Sequence, residues 1–201
     1  LVDRLEELRG DEESSGNVPS VLFIEEGEHG GEGRVTMKKP LSIIGAGCGK
    51  TTLVGVGLKI QGNKSDGIVE IEDLTIKGGE GHGLYVSKGM NVIMRGCSVD
   101  GCQGTGVVAH RADISCDNLQ VVGCGGSGVS AQGNATITLS GQGTSIQRNV
   151  TKGKHYYYGL KAYSSSSIHL VHPLTKEQIS TNNGGGGNWG GHVSNIKQIS
   201  K

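Results

Sequence analysis

Gly83-Leu84-Tyr85-Val86, Gly106-Val107-Val108-Ala109 and Gly128-Val129-Ser130-Ala131 are copies of one phrase, spaced 23 and then 22 residues apart. A period of this length marks a chain of stacked repeats, none of which buries its apolar side chains alone. A second phrase runs in phase with the first. Val69-Glu70-Ile71-Glu72-Asp73-Leu74-Thr75-Ile76 aligns with Val92-Ile93-Met94-Arg95-Gly96-Cys97-Ser98-Val99 and with Ile114-Ser115-Cys116-Asp117-Asn118-Leu119-Gln120-Val121. The columns Val69/Val92/Ile114, Ile71/Met94/Cys116, Leu74/Cys97/Leu119 and Ile76/Val99/Val121 are all apolar, and the columns between them are mostly polar. Period-two alternation of this kind belongs to a strand with one buried face.

Each repeat therefore holds two short strands split by a bend. An extended stretch of this length spans roughly 70 Å, whereas neighbouring strands stack about 4.8 Å apart. Equivalent strands can meet only if the chain winds once round and returns, which makes a parallel β-helix with a narrow, ladder-like core. A leucine-rich repeat has a similar period but needs a Leu-x-x-Leu-x-Leu-x-x-Asn frame, and that frame does not occur. Helical repeats need apolar residues three and four apart, a pattern missing beyond residue 20. The composition agrees. The 201 residues include 37 glycines, which fall between apolar runs where tight bends need them, and only three prolines. An apolar content of 34% is modest, as a thin solenoid core requires.

The sequence predicts one all-β domain over 1–201. Leu1, Leu5 and Leu8 sit at helical spacing and predict a capping helix over 1–10, because the open end of a solenoid needs cover. Coils follow over 20–183, about seven turns, and a glycine-rich tail over 184–201. Val21–Ile24, Arg34–Met37, Leu41–Ile44, Thr51–Val54 and Leu58–Ile60 are the expected first strands. The phrase returns at Gly159-Leu160-Lys161-Ala162 after 31 residues rather than 22, so about nine extra residues bulge out near 147–158. With no evident cap at the C-terminal coil, end-to-end contact or a partner is expected there.

Val35-Thr36-Met37-Lys38-Lys39-Pro40-Leu41-Ser42-Ile43-Ile44-Gly45-Ala46-Gly47, with Thr51-Thr52-Leu53-Val54-Gly55 after it and Phe23-Ile24-Glu25-Glu26-Gly27-Glu28-His29 before it, resembles the N-terminal turns of pectin-lyase-like right-handed β-helix proteins. The turns over 69–130 are similar to that group as well. The resemblance implies a right-handed coil. It names no single activity, because the group includes lyases, hydrolases, epimerases, phage tailspikes, adhesins and substrate-binding domains. The paired-aspartate and Arg-x-Lys, Asp-Pro-His and Trp-Ile-Asp-His marks of its enzymes are absent. Outward carboxylates and an arginine on stacked strands carry catalysis in such enzymes, which makes the column Glu72/Arg95/Asp117 the candidate catalytic set. The same column also reads as a surface ion-pair ladder.

Other motifs carry less. Gly45-Ala46-Gly47-Cys48-Gly49-Lys50-Thr51 has three residues between Gly45 and Gly49 where a phosphate loop needs four, and a strand follows rather than a helix. Five cysteines without a Cys-x-x-Cys pair argue against zinc, and no metal or cofactor is expected. Cys102 and Cys124 are stacking neighbours within disulfide reach, although the odd count points to mostly free thiols. Asn63, Asn134 and Asn149 head glycosylation triplets.

The most distinctive surface is the inserted loop. Arg148, Lys152, Lys154 and His155 run into Tyr156, Tyr157 and Tyr158, with Tyr163 close behind, so four of the five tyrosines gather here. Aromatic rings stack on sugars and cations pair with acidic substituents, which makes these eight residues the candidate ligand-binding set. The expected function is a non-catalytic scaffold or binding module contacting an acidic polysaccharide or a protein. The alternatives are a polysaccharide lyase, hydrolase or epimerase, and a structural element of a viral or cell-surface assembly. With 19 basic and 19 acidic residues there is no broad basic face for nucleic acid, and no apolar run long enough to enter a membrane. The compartment stays open, with an extracellular, virion or cell-surface setting favoured.

Overall fold

A computed structural model describes residues 20–200, and the expected capping helix over 1–10 lies outside that range. Among these residues twenty strands, numbered along the chain, pair only in parallel and line three faces of a coil. The first face stacks β1 (Val21–Ile24), β3 (Ser42–Gly45), β5 (Ile68–Glu72), β8 (Asn91–Arg95), β11 (Asp113–Asp117), β14 (Thr136–Ser140), β17 (Ser167–Val171) and β20 (Ile196–Ile199). The second stacks the start of β4 (Thr51–Gln61) on β6 (Thr75–Lys77), β9 (Ser98–Asp100), β12 (Gln120–Val122), β15 (Ser145–Gln147) and β18 (Ser180–Thr181). The third runs from the end of β2 (Gly27–Met37) through the end of β4 to β7 (Leu84–Ser87), β10 (Val107–His110), β13 (Val129–Gln132), β16 (Leu160–Ala162) and β19 (Trp189–Gly191).

The registers match the sequence columns. Ile71 faces Met94 and Met94 faces Cys116, while Ile76, Val99 and Val121 stack on the second face. These side chains are at most 1% exposed and form one continuous core. Each such aliphatic contributes about 1.5–3 kcal/mol by leaving water. Cys97 fills the column between Leu74 and Leu119, and burial pushes its thiol up to about 12. In four successive coils the corner between the first and second faces turns on one left-handed residue: Asp73, Gly96, Asn118 and Gly141 at φ 53°, 59°, 53° and 83°. Only Gly and, among L residues, chiefly Asn and Asp take this conformation readily. That requirement explains why the bend falls at these positions.

Three sequence expectations shift in detail. The strands expected at Thr51–Val54 and Leu58–Ile60 are one strand, β4, which rounds a corner at Gly55 (φ 76°). The glycine run Gly184–Gly187 leads into β19 and β20, so the stretch expected to be a tail completes a further coil. A short helix, α1 (Lys176–Ile179), enters between β17 and β18, capped by the Thr175 hydroxyl accepting from the Gln178 amide. Cys102 and Cys124 do stack, with the Gly125 amide donating to Cys102 O at 2.8 Å, and both thiols are buried and free. No helix among the described residues is long and apolar enough to cross a membrane.

Candidate functional site

The inserted loop leaves β15 and rejoins the coil at β16, held to the body by buried polar bonds. The side chain of Asn149, 1% exposed, accepts from the Cys124 amide at 3.0 Å and donates to Val121 O at 3.0 Å and to Asn183 Oδ1 at 3.1 Å. The Val150 amide donates to Gly126 O at 2.9 Å, and the Tyr158 amide to Ser127 Oγ at 3.1 Å. The Tyr158 ring lies against Gly186 and Gly190, where any Cβ would collide with it. The loop is thereby fixed against the third face.

What it presents there is a cation among rings. Lys161, on β16, places its ammonium 5.9, 5.8 and 4.6 Å from the ring centres of Tyr156, Tyr157 and Tyr163. It donates to Tyr156 O at 2.7 Å. Lys154 Nζ stands 5.8 Å from the Tyr156 ring, and the His155 ring meets it edge-on at 5.4 Å. The neighbouring Tyr156 hydroxyl raises the Lys154 pKa. Tyr156 and Tyr163 remain 45% and 42% exposed, so ring surface is left for a ligand. Among the described residues neither lysine forms an ion pair. The expected set thus divides: Lys154, His155, Tyr156, Tyr157 and Tyr163 come together, Tyr158 packs inward, and Arg148 and Lys152 are exposed nearby without joining the rings.

Sequence reasoning missed Lys161 and the other end of the same face. Lys161 belongs to the column Lys59/Tyr85/Val108/Ser130/Lys161, whose middle members Val108 and Ser130 are covered. Reading the third letter of each repeated phrase finds that column. The Tyr85 ring stacks on His82 at 5.7 Å, and its hydroxyl is bonded to His110 Nδ1 at 3.1 Å. The third face therefore carries aromatic groups near both ends, about three strand spacings or 14 Å apart.

The candidate catalytic column lies on the first face. Glu72, Arg95 and Asp117 are in register, as expected. Arg95 Nη1, however, donates to Glu72 and, at 3.2 Å, to Glu70 Oε1 in the adjacent column. The two bonds, that to Glu70 first, raise the Arg95 pKa. Asp117 stands apart and accepts from Ser140 Oγ at 2.9 Å and Asn118 Nδ2 at 2.8 Å. The acid–base–acid ladder is thus replaced by a Glu70–Arg95–Glu72 cluster. A long guanidinium reaches diagonally, and the shorter Asp117 finds hydroxyl and amide donors within its own reach. Among the described residues no group of three or more His, Cys, Asp or Glu is placed to hold a metal.

No curated protein matches this chain. Among solved structures, the catalytic domain of a GH87 α-1,3-glucanase, an aspartate-to-alanine variant in complex with tetrasaccharides, is similar at 17% identity and a TM-score of 0.56. The match covers 85% of this chain and 36% of that one. A second such variant, also with tetrasaccharides, matches at 16% identity and a TM-score of 0.50, covering 92% and 36%. The chain therefore spans about a third of the length of these structures, and the likeness is one of fold. The family model for the right-handed β-helix region matches residues 55–196, most of the coil. The chain belongs to the right-handed β-helix family.

Proposed function

We propose that this chain is a non-catalytic β-helix module that binds an acidic polysaccharide on its third face. The observation behind this reading is the Lys161 ammonium among the rings of Tyr156, Tyr157 and Tyr163, with Lys154 beside them. The cations hold the rings in place and supply positive charge, while exposed ring faces suit the apolar faces of sugars. Five strands of this face, β7, β10, β13, β16 and β19, contain no Asp or Glu. Glycoside hydrolysis ordinarily uses two carboxylates about 5–9.5 Å apart across the scissile bond, so the ring cluster is suited to holding a glycan rather than cutting it. Calorimetric titration with oligogalacturonate tests this. Binding that weakens at least tenfold in Tyr163→Ala and in Lys161→Ala supports it, and equal affinity in wild type and both variants refutes it.

A second reading rests on the first face. Glu70, Arg95 and Glu72 put two carboxylates on one guanidinium at a partly exposed surface, a combination that can serve proton transfer in a lyase, hydrolase or epimerase. Incubation with α-1,3-glucan, pectate and alginate separates the readings. Reducing ends or unsaturated product that vanish in Arg95→Ala would establish the enzyme, and an unchanged substrate would support the binding module.

A further inference from the structure

The geometry points to a second subsite on the third face, a groove between Arg34 and His82 that receives one carboxylate-bearing sugar residue of the bound chain. This rests on the acidic-polysaccharide reading above. The groove has a volume of about 260 Å³ and is lined by Arg34, Glu80, His82, Gly33, Gly57 and Gly81.

Its shape follows from the backbone. Along the pairing of β2 with β4 the register shifts between Gly30 and Gly33, where β2 carries one extra residue. Bulges of this kind re-aim the side chains that follow them, and the next residue is Arg34. Across the groove, a Cβ on Gly81 would stand 2.6 Å from Arg34 Nη2, and one on Gly57 would collide with His82 O. Neither glycine is at positive φ. Gly57 is required by the close approach of the His82 carbonyl, whereas at Gly81 the missing side chain leaves room for the guanidinium and for a ligand beside it.

The chemistry of the lining is specific. Arg34 offers only donors, in the planar fork that matches a carboxylate. The Thr105 amide donates to His82 Nδ1 at 3.0 Å, which leaves Nε2 of the neutral ring as the N–H donor. Burial first, and then the charge of Arg34, lowers the His82 pKa, which keeps the ring in that neutral donor form. Glu80 is the acceptor of the set. Two donor groups and one acceptor complement a residue that bears both a carboxylate and hydroxyls. The ring of Tyr85, stacked on His82, continues the surface toward His110.

Affinities for a trigalacturonate and a neutral galactotriose, measured on wild type, Arg34→Ala, Arg34→Lys and Gly81→Ala, test the subsite. Wild type is expected to prefer the uronate about tenfold. Arg34→Ala and Gly81→Ala should erase that preference, and Arg34→Lys should restore part of it. Galacturonic acid alone should shift the His82 ring resonances in wild type and not in Arg34→Ala. Circular dichroism matching wild type shows that each variant is folded. A uronate preference that survives in both Arg34→Ala and Gly81→Ala overturns the subsite alone. If neither trisaccharide binds wild type, the polysaccharide reading falls and the subsite with it.

Discussion

The first face at Arg95 and the third face at Lys161 are the same scaffold used in two ways. At Arg95 the cation lies against two carboxylates from neighbouring positions, so its charge is met within the molecule. At Lys161 the cation lies among three phenol rings that carry no formal charge, and no acidic side chain among the described residues forms an ion pair with it. A cation held by ring quadrupoles stays available to an anion, whereas one neutralised by carboxylates does not. Coil stacking supplies both arrangements cheaply, because any column of outward residues repeats about every 4.8 Å. The column alone does not mark a site. What distinguishes one is whether its charges are already satisfied.

The largest effect is expected where this contrast is removed. The double variant Tyr156→Ala with Tyr163→Ala should cost about 2 kcal/mol or more of oligogalacturonate binding, at least roughly thirtyfold in Kd. Glu72→Gln should leave the same titration unchanged. Next is the anchor that fixes the loop to the third face. Asn149→Leu leaves the buried Cys124 amide without its partner and removes the bond to the Val121 carbonyl, and should lower unfolding free energy in urea by about 1–3 kcal/mol. Arg95→Ala, by contrast, removes exposed ion pairs and should cost no more than about 1 kcal/mol in the same assay. A cost equal to that of Asn149→Leu would mean that the first-face cluster is structural, not superficial.

The smallest effect concerns His82. Its folded-state pKa is lowered by burial and by Arg34, so below the unfolded value of about 6.5 the unfolded chain binds more protons. The neutral ring therefore contributes stability that is present above that value and is lost as pH falls through it. Urea midpoints at pH 7.5 and 5.5 should fall further for wild type than for His82→Gln. Equal falls would mean that the ring titrates as it would in water.

Much of the coil was legible because the core is written twice, as a 22-residue period and as apolar columns. Each core column is chemically uniform, so Ile71, Met94 and Cys116 announce their stacking. The columns between them are not uniform. Tyr85, Val108, Ser130 and Lys161 share no property, and their common face emerges only once the Gly83 phrase is used as a ruler. The loop was visible as a break in the period, and its tyrosines as a local excess. That Tyr158 packs inward while Tyr156 points out depends on Gly186 and Gly190, thirty residues away along the chain. Glu70 was missed because a column reading pairs residues straight across strands, and Arg95 reaches diagonally. The groove at Arg34 depends on a one-residue bulge, which a mixed Gly-rich stretch conceals.

The most direct test of the account is a nitrogen-15 NMR titration of the protein with oligogalacturonate, with product formation followed in the same sample. The account predicts shifts concentrated at Tyr156, Tyr163 and Lys161, with the oligosaccharide intact at the end. Shifts centred on Glu70, Glu72 and Arg95, together with shortened or unsaturated sugars, would contradict it.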